Sequence, residues 1–291
     1  MIVSMNRNAR VALAKETLAI LEKGCYQLGD GRTVSIAEET RSCVGATQLF
    51  RPHDLARIRD EVLSQPGLSE SVAIEVENET TLAGVARLLR DHSAPVAALN
   101  FASAKNPGGG FLSGSQAQEE SLARSSALHA SLINAWDFYE QHRQDSTPLY
   151  SDSMILSPGC PVFRDDAGNL LSDIQLATFI TAAAPNAGAL KDTAPELLDR
   201  IPEVFANRAE YVLALAASQG YRHVVLGAWG CGVFRNDPDT VADVFMTLLG
   251  SDRWANRFSR VVFSILDPSS EQALVNVFKG AAERAQAAGR R

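Results

Sequence analysis

Apolar positions along the chain follow two rhythms. From about residue 7 to 23, Val11, Leu18 and Leu21 fall near helical spacing, and Gly24 supplies a stop. CYQL, the turn Gly29-Asp30-Gly31 and RTVSI then read as a short hairpin, and a helix is predicted around 53–65. From residue 71 strands and helices alternate. SVAIEV (71–76) reads as a strand, and Thr80 is placed to cap a helix running to about Arg90. VAALNFA (96–102), LATFITAAA (176–184), HVVLGAW (223–229) and RVVFSIL (260–266) carry few charges, as strands covered on both faces should. Further helices are predicted from about 120 and over about 195–219, 238–250 and 270–288.

This alternation predicts an α/β fold: a three-layer α/β/α sandwich with a mixed central sheet over residues 71–291. Residues 1–70 form an N-terminal helical and hairpin extension, expected to pack on that core because no Pro- or Ser-rich linker separates the two. The alanine-rich tail GAAERAQAAGRR reads as the fraying end of the last helix. The longest apolar run, YVLALAA (211–217), falls far short of the roughly 18 residues needed to cross a bilayer. MIVSMNRNAR lacks the apolar core of a signal peptide. Cys25, Cys43, Cys160 and Cys231 are dispersed, without a CxxC pair, and read as reduced thiols. A cytoplasmic protein with no membrane partner is therefore expected. The net charge of -7, from 27 basic and 34 acidic side chains, argues against a nucleic-acid binder with a basic track. It leaves room for a small anionic ligand held by backbone amides.

In an α/β sheet, ligands collect beyond the carboxyl ends of the strands, so the loops after buried strands come first. Asn100 closes one such strand. Pro107 blocks its continuation, and Gly108, Gly109 and Gly110 permit backbone angles and close approach that a side chain would forbid. Seven residues later come Gln118, Glu119 and Glu120, at the start of a helix. One reading is a long connector followed by the acidic residues that helix N-termini favour. The other is a backbone cradle for a sugar or phosphate, with two carboxylates delivered to it. In the second loop, Gly227, Gly230 and Gly232 punctuate a strand exit, a natural nest of N–H groups for a diphosphate, and Phe234 follows. Taken alone, Phe234 reads as a packing residue.

Other signatures fail. The second loop reads G-x-x-G-x-G rather than G-x-G-x-x-G, and neither loop contains G-K-[ST]. There is no G-x-S-x-G elbow, and the five histidines form no H-x-x-x-H pair, so neither a serine nucleophile nor a metal is expected. Cys231 lies in the second loop without an obvious base, and reads as a small residue filling a tight turn rather than a nucleophile. Trp229 and Trp254 read as packing residues.

The segment NFASAKNPGGGFLSGSQAQEE, with a triple glycine seven residues before Gln-Glu-Glu, resembles the signature of the bacterial-type poly(ADP-ribose) glycohydrolases. The resemblance runs from NRNARVALAKETLAIL through GAWGCGVFRND to the last strand. It implies a macrodomain-like fold that binds ADP-ribose at one end of its sheet, without a cofactor. It implies that Glu120 is the catalytic glutamate, that Glu119 orients the ribose hydroxyls and that Gln118 supports the loop. Asn100, Asn106 and Gly108–Gly110 would surround the terminal unit. Gly227, Gly230, Cys231, Gly232, Val233 and Phe234 would form the diphosphate-binding loop, with Phe234 positioning the terminal ribose.

Cleavage of a ribose–ribose O-glycosidic bond passes through an oxocarbenium-like transition state. The departing hydroxyl needs a proton and a water must then be activated, which one carboxyl can do in turn. The resemblance further implies release of ADP-ribose from the polymer terminus. Its implied partners are poly(ADP-ribose), ADP-ribose and ADP-ribosylated proteins, with no sequence-specific nucleic acid. An ADP-ribose reader without hydrolysis is the competing class, and the intact Gln118-Glu119-Glu120 argues for the enzyme. A hydrolase of mono-ADP-ribosylated protein or of an ADP-ribose ester is a second alternative. A nucleotide-sugar or NAD-processing enzyme is a third.

Overall fold

A computed structural model describes residues 5–67, 71–92, 94–145, 147–254 and 256–288. The expected segment boundary at 70, the first four residues and the end of the alanine-rich tail lie outside the described residues.

The chain opens with α1 (Arg7–Lys23), capped by Asn6 accepting from the Ala9 N–H. It ends at Gly24, whose φ of 70° and N–H bond to the Ile20 carbonyl form a left-handed cap. A Cβ there would stand 2.7 Å from that of Ala37, so the turn also depends on close approach. The expected hairpin follows as β1 (Cys25–Gln27) and β2 (Thr33–Ser35), then α2 (Ala37–Ala46), β3 (Gln48–Phe50) and α3 (Pro52–Ser64). Next come β4 (Ala73–Glu77), α4 (Thr81–His92), β5 (Val96–Phe101), α5 (Gln118–Ser125), α6 (Leu128–Asn134) and α7 (Trp136–Gln144). Two long strands, β6 (Met154–Arg164) and β7 (Leu170–Ala182), precede α8 (Ala187–Thr193) and α9 (Ile201–Ser218). β8 (His223–Leu226), α10 (Pro238–Gly250), β9 (Arg260–Ser264) and α11 (Ala273–Ala288) complete the order.

Seven strands form one sheet in the order β3-β6-β7-β5-β8-β9-β4. β7, β5, β8, β9 and β4 run parallel; β6 pairs antiparallel with β7, and the edge strand β3 pairs antiparallel with β6. Alternate residues of each parallel strand enter opposite layers. Ala97, Leu99, Val224, Val261 and Phe263 pack against α3, α9, α10 and α11, whereas Val96, Ala98, Val225 and Val262 pack against α4 to α7. Both faces are covered, which explains the nearly uncharged strand sequences.

Several elements differ from the sequence expectation. The helix expected over 195–219 is a 3-10 segment, Pro195–Arg200, followed by α9, and the last helix starts at Ala273 rather than 270. The segment MILSPGCPVFR, whose prolines argue against a strand, is β6. Its register shifts between Ser157 and Cys160, so Pro158 and Gly159 (φ 55°) occupy an irregularity outside regular pairing. β3 comes from the first seventy residues yet pairs with β6 in the main sheet, and α3 packs against the same face as α9. Among the described residues no helix is long and apolar enough to cross a membrane.

Candidate active site

The carboxyl ends of the five parallel strands lie on one side of the sheet, and the loops leaving them line a cleft of about 600 Å³. α5 carries five of its lining residues, Gln118 to Leu122. Gln118 is the first residue of that helix and takes the place of β8 along the last residues of β5, whose pairing with β8 ends at Ala98. Its Oε1 accepts from the Phe101 N–H at 2.9 Å, and its Nε2 donates to the Leu99 carbonyl at 2.7 Å and to Thr81 Oγ1 at 3.1 Å. This fork ties the first turn of α5 to the sheet.

The carboxyls of Glu119 and Glu120 are held by loop groups. Glu119 is buried; its Oε2 accepts from the Ser103 N–H at 2.7 Å and its Oε1 from Asn100 Nδ2 at 3.3 Å. Burial pushes its pKa up to about 8, and the charge of Glu120 adds to the rise, against the donors from Ser103 and Asn100. The shift favours the protonated form near neutral pH. Glu120 is half-buried, and its Oε1 accepts from the Gly110 N–H at 2.9 Å.

The triple glycine is explained by contact. Gly109 has φ 59°, and a Cβ there would lie 2.4 Å from Glu120 Oε1 and 3.2 Å from Glu119 Oε2. Any side chain would displace the carboxyl pair. Gly108 (φ 70°) is buried against Phe111, Ala123 and His129. The amides that sequence reasoning offered to a phosphate here are engaged internally: Gly109 N–H bonds the Asn106 carbonyl and Gly110 N–H bonds Glu120.

The free amides lie in the second loop. Trp229, Cys231, Arg235 and Asn236 use their N–H groups within the turn. Among the described residues, the N–H groups of Gly230, Gly232, Val233 and Phe234 make no hydrogen bond, which leaves a row of donors for an anion. Gly230 (φ 75°) leaves room for the Asn236 amide and Ala184, and Gly227 passes beneath the Ser264 carbonyl. No lysine or arginine is among the described residues that line the cleft.

Ten of the expected residues line the cleft together: Asn106, Gly109 and Gly110, then Gln118, Glu119 and Glu120, and finally Gly230, Gly232, Val233 and Phe234. Asn100 stands behind Glu119, Gly108 and Gly227 shape their turns, and Cys231 lies outside the lining. Burial, with the charge of Asp237, pushes the Cys231 thiol up to about 12, so it is no nucleophile at neutral pH. Phe234 both lines the cleft and packs against the core. Sequence reasoning missed Glu79 and Thr80, although they follow a strand end. It also missed Asp166, which reaches the cleft from the β6–β7 turn and accepts from Thr80 Oγ1 at 2.6 Å. Nothing local to Asp166 signals that position. The four cysteines are free thiols, and among the described residues no cluster could hold a metal ion.

The family model of the microbial-type PARG (poly(ADP-ribose) glycohydrolase) catalytic domain matches residues 14–165, more than half of the chain. The chain belongs to this family. It is similar to the crystal structure of the glycohydrolase from Thermomonospora curvata, at 46% identity and TM-score 0.90, over 94% of this chain and 99% of that one. The same protein bound to the inhibitor ADP-HPD matches at 46% identity and TM-score 0.87, over 94% and 99%. The glycohydrolase from Deinococcus radiodurans in complex with ADP-ribose matches at 42% identity and TM-score 0.79, over 84% and 97%. No curated protein matches the chain. The macrodomain-like sandwich expected from the sequence is thus the fold of a poly(ADP-ribose) glycohydrolase. The cleft of this glycohydrolase sets acidic side chains on one loop and its helix, and free amides on another.

Proposed function

We propose that this poly(ADP-ribose) glycohydrolase works from the polymer terminus, with Glu120 supplying its acid–base chemistry. The observation that carries the reading is the Glu120 carboxyl: it lines the cleft, held at one oxygen by the Gly110 N–H. Glu120 protonates the ribose 2′-oxygen that departs as the glycosidic bond breaks, and the terminal ribose becomes oxocarbenium-like. The carboxylate left behind accepts the Gly110 N–H more strongly, so the hydrogen bond favours the transition state over the ground state. That carboxylate then takes a proton from the water that attacks the anomeric carbon. Glu119, whose raised pKa favours the protonated form near neutral pH, binds the ribose hydroxyls, and the free amides of residues 230–234 receive the diphosphate.

End-on capture follows from charge. A cleft without lysine or arginine grips one ADP-ribose unit through dipoles and offers no basic track to a long polyanion. Residues 1–70 act as a brace for the catalytic part at 71–291: Arg7 Nε donates to the Ser113 carbonyl at 2.9 Å and Arg10 Nε to that of Gly114 at 2.7 Å. ADP-ribosylated proteins are the cellular substrates, and four free thiols fit a cytoplasmic location.

The test is a product time course from poly(ADP-ribose), resolved by chromatography, for the native protein and Glu120→Gln. Native protein should release ADP-ribose from the start. Glu120→Gln should slow release by about a thousandfold while still binding ADP-ribose. Native turnover in the variant would remove Glu120 from the chemistry, and early internal oligomers would overturn the end-on mode.

A further inference from the structure

Behind Glu119, outside the cleft lining, lies Asn100, which the sequence had placed at the site itself. Asn100 is wholly buried on β5 and presents two amide protons and one carbonyl oxygen. One proton is given to Glu119 Oε1 at 3.3 Å, and the other to Thr181 Oγ1 at 3.1 Å. Thr181 is the parallel neighbour of Asn100 on β7 and is itself wholly buried. The Asn100 carbonyl oxygen is buried with no hydrogen-bond partner in the protein.

We infer that Thr181 is a positioning residue for the hydrolysis, whose hydroxyl fixes the Asn100 amide with its nitrogen toward Glu119 and so holds that carboxyl for the substrate ribose. The inference rests on the reading of Glu119 as a ribose-binding residue. An amide turned by half a rotation would set its carbonyl against a carboxyl oxygen and lose both donations. The Thr181 hydroxyl is the second acceptor for that amide, so the Asn100 nitrogen is anchored from β7 as well as from Glu119. The titratable groups facing Glu119 are Glu120 on its own helix and Tyr139 from α7, whose hydroxyl is buried without a partner. Neither supplies a fixed donor to the carboxyl, so its orientation depends on the loop backbone at Ser103 and Gly108 and on Asn100.

Two substitutions separate this role from packing. Thr181→Val keeps the shape and removes the hydroxyl, whereas Thr181→Ser keeps the hydroxyl and removes a buried methyl. If the hydroxyl positions Glu119, Thr181→Val should weaken ADP-ribose binding and raise KM for the polymer, each on the order of three- to tenfold. It should also move the alkaline limb of the pH profile of binding. Thr181→Ser should restore both, although it loses a buried methyl. The reverse order, with serine impaired and valine native-like, would make Thr181 a packing residue and overturn the inference. Glu119→Ala is the control: native ADP-ribose affinity in that variant would overturn the reading of Glu119 itself. Loss in Glu119→Ala with native behaviour in Thr181→Val would overturn only the role of Thr181.

Discussion

Replacing Glu119 by glutamine changes the pH dependence of stability in a way the structure specifies. Burial raises the pKa of Glu119 from 4.5 to about 8. In the unfolded chain the carboxyl ionises near 4.5, so between the two values the folded state holds a proton that the unfolded state has released. The folded state binds more protons, and stability falls as pH rises through that window. The contribution is fully present below 4.5, declines by about 1.4 kcal/mol per pH unit, and is lost above about 8. Glutamine does not titrate. Its cost, an amide facing the Ser103 and Asn100 donors, is independent of pH. The stability difference between Glu119→Gln and the native protein should therefore shift in favour of the variant by about 5 kcal/mol from pH 4.5 to 8, and then level off. Urea denaturation of both proteins at half-unit pH intervals measures it. Parallel stability curves across that window would refute the claim that Glu119 is buried as a neutral acid.

Gly109→Ala puts a Cβ 2.4 Å from Glu120 Oε1 at φ 59°, a conformation that costs a non-glycine residue about 1–2 kcal/mol. Polymer turnover should fall at least tenfold while the circular dichroism spectrum is retained, and native turnover would count against the packed carboxyl–glycine contact. ADP-ribose affinity should vary weakly with salt because no lysine or arginine lines the cleft. Calorimetry across a salt series should give a logarithmic slope well below the roughly 1.4–1.8 expected for two phosphates neutralised by cations. Arg208 is wholly buried and donates to Asp152 Oδ1 at 2.9 Å and to the carbonyls of Ala183 at 2.6 Å and Leu149 at 3.1 Å. Arg208→Ala strands these acceptors and should cost about 3–5 kcal/mol in denaturant unfolding.

Local pattern made part of this molecule legible before its structure. Nearly uncharged runs such as HVVL and RVVFS announced strands covered on both faces, because such strands need no polar side. The glycines at 108–110 and 230 announced turns that no side chain could enter, and all but Gly110 of these adopt positive φ. The spacing from the triple glycine to Gln118-Glu119-Glu120 placed both carboxyls in the first turn of a helix beside that loop. Such features are short-range: they depend on periodicity and on the conformations open to one residue.

What only the tertiary structure decided lies between residues far apart in the chain. The prolines of β6 hid a strand paired on both sides, since a bulge against β7 accommodates Pro158 and Gly159. Asp166 meets Thr80 across 86 residues, Asn100 meets Thr181 across 81, and Arg208 meets Asp152 across 56. A side chain's partner at that distance is set by sheet order and register, which no local pattern encodes. The division of labour between the two loops was decided in the same way. Both are glycine-rich, but the first directs its amides to its own carboxyls and carbonyls, and the second leaves its amides free. Composition could name the donors; only the folded backbone determines which of them are still unpaired.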